Sequence, residues 1–358
     1  MELKKKILMH VIKAEKIGGT TTVISEIKNS YLKDKFNFID IVQEDACGFN
    51  PIKAVQFVRK YKRLINEQHA DAIYICGLLY SGFLMTLAAK LSNVKTIILS
   101  IHGSEWDKKN SLARRALFCG IIEPLTVFMA DKVFTVCKHA LSNVAIKRGG
   151  HGNVIGEIYN RMPDMNFDTY SYGDFRNEIG CSNDKILVAV VGRVVYDKGH
   201  RFIIDAIKKL NDERFVFVIV GEGEYLESYS TELQEKIYNK TIHLLGVRND
   251  VFRILKDTDI FLFPTLHENH SKAMLEAVGM RCAIICTNVG GNPEIIDDEE
   301  TGLIIPACDS EAIVASLKRL SNSDLRKQLV DKATEVIPDR FSETKTFGRL
   351  EQLFKGEL

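Results

Sequence analysis

The chain has 358 residues, of which 46% are hydrophobic and 27% charged, so it is too long for one ordinary core and rich enough to build two. Its 48 basic and 47 acidic side chains nearly cancel, but residues 1–160 hold 23 Lys or Arg against 14 Asp or Glu. The basic first part indicates an anionic partner, such as a membrane surface or a lipid phosphate, although an ordinary solvated face would show the same excess.

The start of the chain and its cysteines indicate the compartment. MELKKKILMHVIK has only about six apolar residues, fewer than a secretory signal core needs, so it predicts a first β-strand. The longest apolar stretch, CGLLYSGFLMTLAA, has about 14 residues and is shorter than the roughly 18 of a membrane-spanning helix. The eight cysteines show no CxxC pair and no disulfide-like spacing, which favours a reducing cytoplasm. Any membrane contact is therefore expected to be peripheral.

Short apolar runs alternate with longer helical patterns from end to end. The first series is KILMHVI, AIYIC, TIILSIHG and KVFTVC, and the second is KILVAVVG, FVFVIVG, DIFLFP and CAIICT. This alternation predicts parallel sheets with crossover helices. The polar segment between the two series lacks sustained periodicity and is predicted to be a linker. We therefore expect an α/β chain of two doubly wound, Rossmann-like domains that face a central cleft, with the ligand at the carboxyl ends of both sheets.

The loops after the predicted strands carry glycine and charged residues. GGTTT, with Gly18 and Gly19, follows the first strand, and SIHGSEW, with His102, follows a middle strand of the first series. GRVVYDKGH, with Arg193 and Lys198, follows the first strand of the second series. The amides of the glycine pair would suit a phosphate at the start of a helix, although a tight turn without a ligand explains the pair equally well.

Two common nucleotide motifs are missing from the sequence. VGEGEYLE contains Gly221 and Gly223, but Leu226 stands where a dinucleotide fingerprint requires its third glycine. There is also no GxxxxGK[ST] pattern. NAD or FAD binding by that route and P-loop nucleotide hydrolysis are therefore not predicted.

Two patterns resemble metal sites only in part. His267 and His270 are three residues apart rather than four, with no third ligand evident, so a zinc site is not predicted. Asp257 and Asp259 form an Asp-x-Asp directly before a strand, where aspartate often ends a helix and begins a turn. The structural interpretation of this pair is favoured over metal binding.

The ordered motifs GRVVYDKGH, VIVGEGE, LLGVRNDV, FPTLHENHSKAMLEA and TNVGGNPEII resemble those of the retaining glycosyltransferases of family 4, which have the GT-B fold. The first half is similar to the same family through the looser signatures IGGTTT, HADAIYICGLLYSG, VKTIILSIHGSEW and ADKVFTVCKHAL. The resemblance implies an acceptor-binding domain at 1–165, a linker at 166–184 and a nucleotide-sugar-binding domain at 185–338. It also implies a closing helix at 339–358 that crosses back to the first domain.

Carried over position by position, the resemblance implies a donor site built from two carboxylates and two cations. Glu268 and Glu276 match the family's Glu-x7-Glu, in which the second carboxylate binds both ribose hydroxyls and the first lies beside the donor sugar. Arg193 and Lys198 match its diphosphate-binding pair. A leaving diphosphate gains negative charge as the glycosidic bond breaks, so fixed cations and a helix N-terminus would stabilise that transition state without a metal.

The same resemblance assigns further residues to the donor. His102 matches a histidine near the donor sugar and joins Glu268 as a catalytic candidate. Besides Arg193 and Lys198, the diphosphate set contains Gly18, Gly19, His270, Ser271 and Lys272, and the nucleotide set contains Glu276, Gly221, Glu222 and Val247. Ser271 is the expected N-cap of the helix whose amides would point at the phosphates. Family members commonly have Glu-Gly-Phe-Gly where this chain has ENHS, which implies a donor-sugar pocket of different shape.

These features predict a hexosyltransferase-type enzyme that moves a sugar, with retention, from a nucleoside diphosphate sugar to an acceptor hydroxyl. UDP is the first choice of nucleotide and GDP the second, and the expected acceptor is a lipid-linked oligosaccharide of a bacterial capsule or O-antigen. Neither a metal or other cofactor nor a nucleic-acid partner is expected. The expected location is the cytoplasm, peripheral at the anionic inner face of the cell membrane.

Within this prediction Glu268 positions the donor or stabilises charge and is not a nucleophile, because the family reacts on one face of the sugar with the departing phosphate as base. Two alternatives stay open. One is a non-hydrolysing UDP-sugar epimerase, which shares the architecture, and the other is a non-catalytic sugar-nucleotide-binding subunit.

Overall fold

The computed structural model describes residues 4–12, 19–44, 49–104, 111–164 and 167–358. The chain divides into two compact units, of which the first contains residues 1–161 and 343–358 and the second contains residues 162–342. The end of the chain therefore belongs to the unit in which the chain begins.

The described strands of the first unit form one parallel sheet. They are β1 (Lys6–Ile12), β2 (Asn37–Gln43), β3 (Ala72–Cys76), β4 (Thr96–Ile101), β5 (Lys132–Thr135) and β6 (Val154–Glu157). Their order across the sheet is β2-β1-β3-β4-β5-β6. Every residue of β3, AIYIC, is buried, as expected of a strand covered by helices on both faces.

The described strands of the second unit form a sheet of the same kind. They are β7 (Ile186–Val191), β8 (Phe215–Val220), β9 (Ile242–Gly246), β10 (Ile260–Phe263), β11 (Ala283–Thr287) and β12 (Leu303–Ile305). Their order is β12-β11-β10-β7-β8-β9, and each paired strand is parallel to its neighbour. The order reverses direction beside β7, which is where open α/β sheets bind ligands at their carboxyl edge.

Helices connect and follow the strands of both sheets. Those of residues 1–161 are α1 (Gly19–Asn29), α2 (Pro51–Gln68), α3 (Tyr80–Lys90), α4 (Leu112–Leu117), α5 (Glu123–Met129) and α6 (Val144–Gly149). Those of the second unit are α7 (Asp174–Ile179), α8 (His200–Lys209), α9 (Tyr225–Glu232), α10 (Gln234–Tyr238), α11 (Val251–Lys256), α12 (Lys272–Gly279), α13 (Asn292–Ile295), α14 (Ser310–Arg319) and α15 (Ser323–Arg340). The last helix is α16 (Glu343–Lys355). Within the described ranges, none of these helices combines the length and apolarity needed to cross a bilayer.

The closing helix α16 is fixed to the first unit by its apolar face. Phe347, Leu350 and Phe354 are buried in the core formed by β1, β3 and α1. Each such side chain stabilises the packing by about 1.5–3 kcal/mol relative to an exposed one. On the outer side, Lys35 Nζ lies 2.7 Å from Glu351 Oε2.

The segment predicted as a linker, whose described part is residues 167–184, contains α7 and packs within the second unit. The Asp257 carboxylate accepts hydrogen bonds from the backbone N–H groups of Gly173, Phe175 and Arg176 at 2.6, 2.8 and 3.0 Å. The buried Arg176 guanidinium donates to Asp259 Oδ2 at 2.5 Å. Asp257 thus binds the first turn of a helix about 80 residues before it in sequence, a long-range contact that local periodicity cannot reveal. The Asp-x-Asp pair has the structural role that the sequence favoured.

Candidate functional site

Backbone hydrogen bonds join the loops at the carboxyl edge of the second sheet. The N–H of Val194, in the loop after β7, donates to the Glu222 carbonyl at 2.8 Å, and the N–H of Gly221 donates to the Gly246 carbonyl at 2.7 Å. Gly221 has a φ of 138°, and a Cβ there would lie 1.9 Å from the Gly192 carbonyl oxygen, so only glycine allows this approach. The predicted nucleotide residues Gly221 and Glu222 are thereby tied to the loop that carries Arg193.

An ion pair forms the centre of the candidate site. Lys198 Nζ lies 2.7 Å from Glu268 Oε2, and the two side chains are 19% and 20% exposed. The second carboxylate oxygen of Glu268 accepts the N–H of Asn269 at 3.2 Å. The structure therefore brings together one predicted diphosphate residue and the predicted donor-sugar carboxylate, from the loops after β7 and β10.

The loop that carries Glu268 is held from two sides. Leu266 N–H and the Thr265 hydroxyl both donate to the Asp197 carbonyl, at 2.8 and 2.9 Å. On the other side, the Gly291 N–H donates to the Glu268 carbonyl at 3.2 Å. Gly290 has a φ of 55°, and a Cβ there would lie 1.6 Å from the same carbonyl oxygen. The loop after β11 is thus a positioning element that the prediction missed, although the paired glycines of TNVGGNPEII were the signal for it.

Arg193 and His200 show how the loop after β7 is arranged. The Arg193 side chain is 72% exposed, and its guanidinium lies 3.7 Å from the Asp197 carboxylate. His200 Nε2 lies 3.2 Å from the Arg193 carbonyl oxygen, which can only accept, so Nε2 carries the proton and Nδ1 accepts from the Tyr229 hydroxyl at 3.0 Å. Burial lowers the pKa of His200 to about 4. This neutral histidine anchors the loop, a role that the prediction did not assign.

Helix α12 begins where the sequence predicts. Ser271 is its N-cap, and its hydroxyl accepts the N–H of Met274 at 3.2 Å. Lys272 occupies the first helical position and is partly exposed. Glu276, also partly exposed, lies one turn further along. The helix start therefore directly follows the Glu268 loop, where its partial positive charge favours an anion.

His270, which was predicted to contact the diphosphate, has a buried side chain. Its side chain is only 4% exposed, and its ring packs edge-on against Phe341 with 4.8 Å between the ring centroids. Burial and the Lys272 charge lower the pKa of His270 to about 3. His270 is therefore neutral at neutral pH and packs against Phe341, while its contact with the diphosphate stays a prediction.

The predicted residues of the first unit lie after β1 and β4. His102 is half-buried, with Nε2 3.2 Å from the Ser100 hydroxyl oxygen, and burial lowers its pKa to about 4. A neutral His102 can hydrogen-bond to a hydroxyl but carries no positive charge at neutral pH. Gly19 is the first residue of α1, and Gly18 lies outside the described residues.

The remaining nucleotide candidate, Val247, follows β9 and is 58% exposed. Over the parts of the chain that the structure describes, no group of three or more His, Cys, Asp or Glu side chains could hold a metal ion. The described site offers a part-buried cation, a capped helix start and two carboxylates. Cations and helix amides bind phosphate groups, and carboxylates bind sugar hydroxyls.

A cation and a helix start at the switch point of a parallel α/β sheet form an arrangement that is typical of nucleotide-binding proteins. Comparison with protein families identifies the family. Residues 172–336 match the model described as glycosyl transferases group 1, and residues 9–136 match the model described as glycosyl transferase 4-like. The chain belongs to this family and is a glycosyltransferase of the hexosyltransferase type, as the resemblance indicated.

Similar proteins support this assignment. The UDP-Gal:alpha-D-GlcNAc-diphosphoundecaprenol alpha-1,3-galactosyltransferase of Escherichia coli is 26% identical over 316 residues, which cover 85% of this chain and 80% of the relative. The capsular polysaccharide biosynthesis glycosyltransferase CapM of Staphylococcus aureus is 21% identical over 288 residues, covering 78% and 75%. The crystal structure of Anabaena HepE in complex with UDP and glucose matches with a TM-score of 0.78 at 16% identity, covering 98% of this chain and 99% of that chain. The predicted fold class, GT-B with two doubly wound α/β domains, is confirmed.

Proposed function

We propose that the enzyme transfers a sugar from a UDP-sugar to a hydroxyl group of a lipid-linked oligosaccharide during the synthesis of a bacterial surface polysaccharide. The Lys198–Glu268 contact at the switch point of the second sheet carries the proposal, because it sets a cation and a carboxylate side by side at 2.7 Å. The names of two relatives support these substrate classes. The Escherichia coli relative is named for UDP-Gal and a GlcNAc-diphosphoundecaprenol acceptor, and the Staphylococcus aureus relative is named for capsular polysaccharide biosynthesis. GDP is the second choice of nucleotide.

In the proposed reaction the bond between the sugar C1 and the diphosphate oxygen breaks while the acceptor oxygen bonds to C1. Lys198, the exposed Arg193 and the amides at the start of α12 stabilise the charge that gathers on the leaving diphosphate. Glu276 binds the ribose hydroxyls. No metal is required in this proposal, so the rate of transfer is expected to be unchanged in EDTA. A tenfold loss that Mg²⁺ restores would contradict this part.

We further propose that the anomeric configuration is retained, with the acceptor proton passing to the departing phosphate on the same face of the sugar. Glu268 does not attack C1 in this scheme, since its carboxylate is held by the Lys198 ammonium and the Asn269 N–H. Its role is to position the donor and to stabilise charge. The expected result for Glu268→Gln is a loss of kcat of at least tenfold, and a near-normal kcat would remove the catalytic role.

The direct experiment combines the enzyme with UDP-glucose, UDP-galactose, UDP-N-acetylglucosamine or GDP-mannose and an undecaprenyl-diphosphate-linked sugar. Transfer from one donor, with an α-linked product seen by NMR, is the expected result. Interconversion of the donor without any acceptor would instead indicate the epimerase alternative. We place this reaction in the cytoplasm at the inner face of the cell membrane, where a lipid-linked acceptor would be reached.

A further inference from the structure

Strand β4 carries a buried hydroxyl group within an apolar run. The strand ends in IILSI, and Ser100 in this run is fully buried. A buried hydroxyl costs free energy unless it is hydrogen-bonded, and it contributes less to an apolar core than a methyl group of similar size. The contacts of Ser100 therefore have to explain why a serine lies here.

The Ser100 hydroxyl lies between strand β3 and the His102 ring. Its oxygen is 3.3 Å from the Ile75 carbonyl oxygen, 3.3 Å from Cys76 Sγ and 3.2 Å from His102 Nε2. Cys76 is the partner of Ser100 in the parallel register of β3 and β4. Side chains two residues apart along an extended chain lie on the same side, which brings the serine and the histidine together. Three polar atoms thus meet one hydroxyl group, which has a single proton to donate.

The chemistry of the three partners decides where the protons lie. Burial lowers the pKa of His102 to about 4, so its ring is neutral at neutral pH and carries one N–H. Burial raises the pKa of the Cys76 thiol to about 11, and a neutral sulfur is a weak hydrogen-bond partner. The Ile75 carbonyl oxygen can only accept, and it is a stronger acceptor than the sulfur. Ser100 therefore donates to Ile75, and its oxygen accepts the Nε2–H of His102.

The chain on either side of His102 is held as well. The N–H of Gly77, after β3, donates to the Ser100 carbonyl at 2.8 Å. Two residues beyond the histidine, the buried Ser104 hydroxyl donates to the buried Glu123 carboxylate at 2.7 Å. Because the main chain is fixed at both places, the hydroxyl of Ser100 determines which ring nitrogen of His102 carries the proton.

We propose that Ser100 is a positioning residue for sugar transfer, whose hydroxyl fixes His102 as the Nε2–H tautomer and leaves Nδ1 as the hydrogen-bond acceptor. An accepting Nδ1 suits a hydroxyl group of a sugar, which can donate, and does not suit an oxygen of the diphosphate, which can only accept. The tautomer therefore directs His102 to the sugar and not to the leaving group. The inference rests on the proposed function, since His102 is a predicted donor residue of that reaction.

The first test reads the tautomer directly and needs no substrate. In protein with ¹⁵N-labelled histidine, nitrogen–proton correlation spectra distinguish Nδ1–H from Nε2–H rings, and the signals of His102 are those that His102→Gln lacks. The wild type is expected to show the Nε2–H form of His102, and Ser100→Ala is expected to show a mixture of both forms. A wild-type His102 in the Nδ1–H form, or a tautomer that Ser100→Ala leaves unchanged, would overturn the inference.

Kinetics then separate a role through His102 from a purely structural one. Ser100→Ala is expected to lower kcat about tenfold, the factor that one neutral hydrogen bond contributes, and to leave the donor KM within about twofold. In a chain that already carries His102→Gln, Ser100→Ala should have no further effect on kcat. Ser100→Thr keeps the hydroxyl and should have nearly the wild-type rate. Thr86→Val removes another fully buried hydroxyl of the first unit, in α3, and is the matched control with wild-type kcat.

The possible failures are distinguishable. Equal losses of kcat from Ser100→Ala with and without His102 would mean that the serine only supports the sheet, and the inference would be wrong. If the spectra follow the prediction but the wild type transfers no sugar to any acceptor, the proposed function fails, while the control of the His102 tautomer by Ser100 stands.

Discussion

Replacing Lys198 by glutamine removes the cation at the centre of the proposed donor site. In the structure its ammonium lies 2.7 Å from Glu268 and its side chain is 19% exposed, so solvent screens it only partly. Two unit charges 4 Å apart interact by about 4 kcal/mol at an effective dielectric constant of 20. Removal of one transition-state-stabilising donor typically costs about 3–4 kcal/mol, so we expect kcat to fall by about 10²–10³-fold.

The assay is release of UDP from the UDP-sugar in the presence of acceptor, measured at saturating donor. Because glutamine keeps a hydrogen-bond donor for Glu268, the free energy of unfolding is expected to change by about 1 kcal/mol or less. Lys209→Gln is the matched control, since Lys209 also pairs with a glutamate at 2.8 Å but lies at the opposite end of α8. A Lys198→Gln enzyme with kcat within threefold of the wild type would refute the role given to this cation.

Four other changes have distinct expected results. Glu276→Ala should raise the donor KM by about 10–100-fold with a smaller effect on kcat, because hydrogen bonds to a charged group contribute about 1.5–3 kcal/mol; initial rates at varied donor concentration would show this. Gly290→Ala should lower both kcat and the melting temperature, since the new Cβ would displace the Glu268 backbone. Asp257→Asn should reduce the free energy of unfolding in urea by about 2 kcal/mol, because three backbone N–H groups lose a charged acceptor. The neutral state of buried His200 predicts a loss of stability in acid: its pKa of about 4 lies below the ordinary 6.5, so the unfolded chain binds the proton first as the pH falls from 6.5 to 4. Urea titrations at several pH values should show this decline, and His200→Gln should make it shallower.

Strand positions were predictable because buried parallel strands are continuous apolar runs. The strands β7, β8, β10 and β11 are almost entirely buried. They correspond, in this order, to the apolar runs KILVAVVG, FVFVIVG, DIFLFP and CAIICT. The start of α12 was also predictable, since a serine after a polar loop and before an apolar helix is a local capping signal. Such features depend on neighbouring residues only.

The contacts that could not be predicted join residues far apart in the sequence. Asp257 binds the first turn of α7, and His270 packs against Phe341, so neither partner is visible in a local pattern. For His270, the sequence predicted contact with the diphosphate and gave no sign of the packing against Phe341. In the structure the His270 ring is buried.

The exposed apolar side chains of α4 and α5 could not be predicted from the sequence for a related reason. Leu117, Ile121 and Leu125 read as ordinary core positions of an amphipathic helix, while Phe118 and Ile122 occupy that core. A π-helical turn at Phe118–Ile122, between α4 and α5, shifts the register by about one residue, so helical periodicity alone does not decide which face is buried. Only the packing of the first unit separates the two faces.

The most direct test is the binding of UDP, measured by isothermal titration calorimetry for the purified wild-type protein and for the Lys198→Gln variant. In buffer containing EDTA, UDP is expected to bind at a single site, and its affinity is expected to fall at least tenfold in the variant. The wild type without acceptor is expected to release UDP slowly from a UDP-sugar. Absence of binding by UDP and GDP, or equal affinity in both proteins, would contradict a nucleotide-sugar site at the Lys198–Glu268 pair.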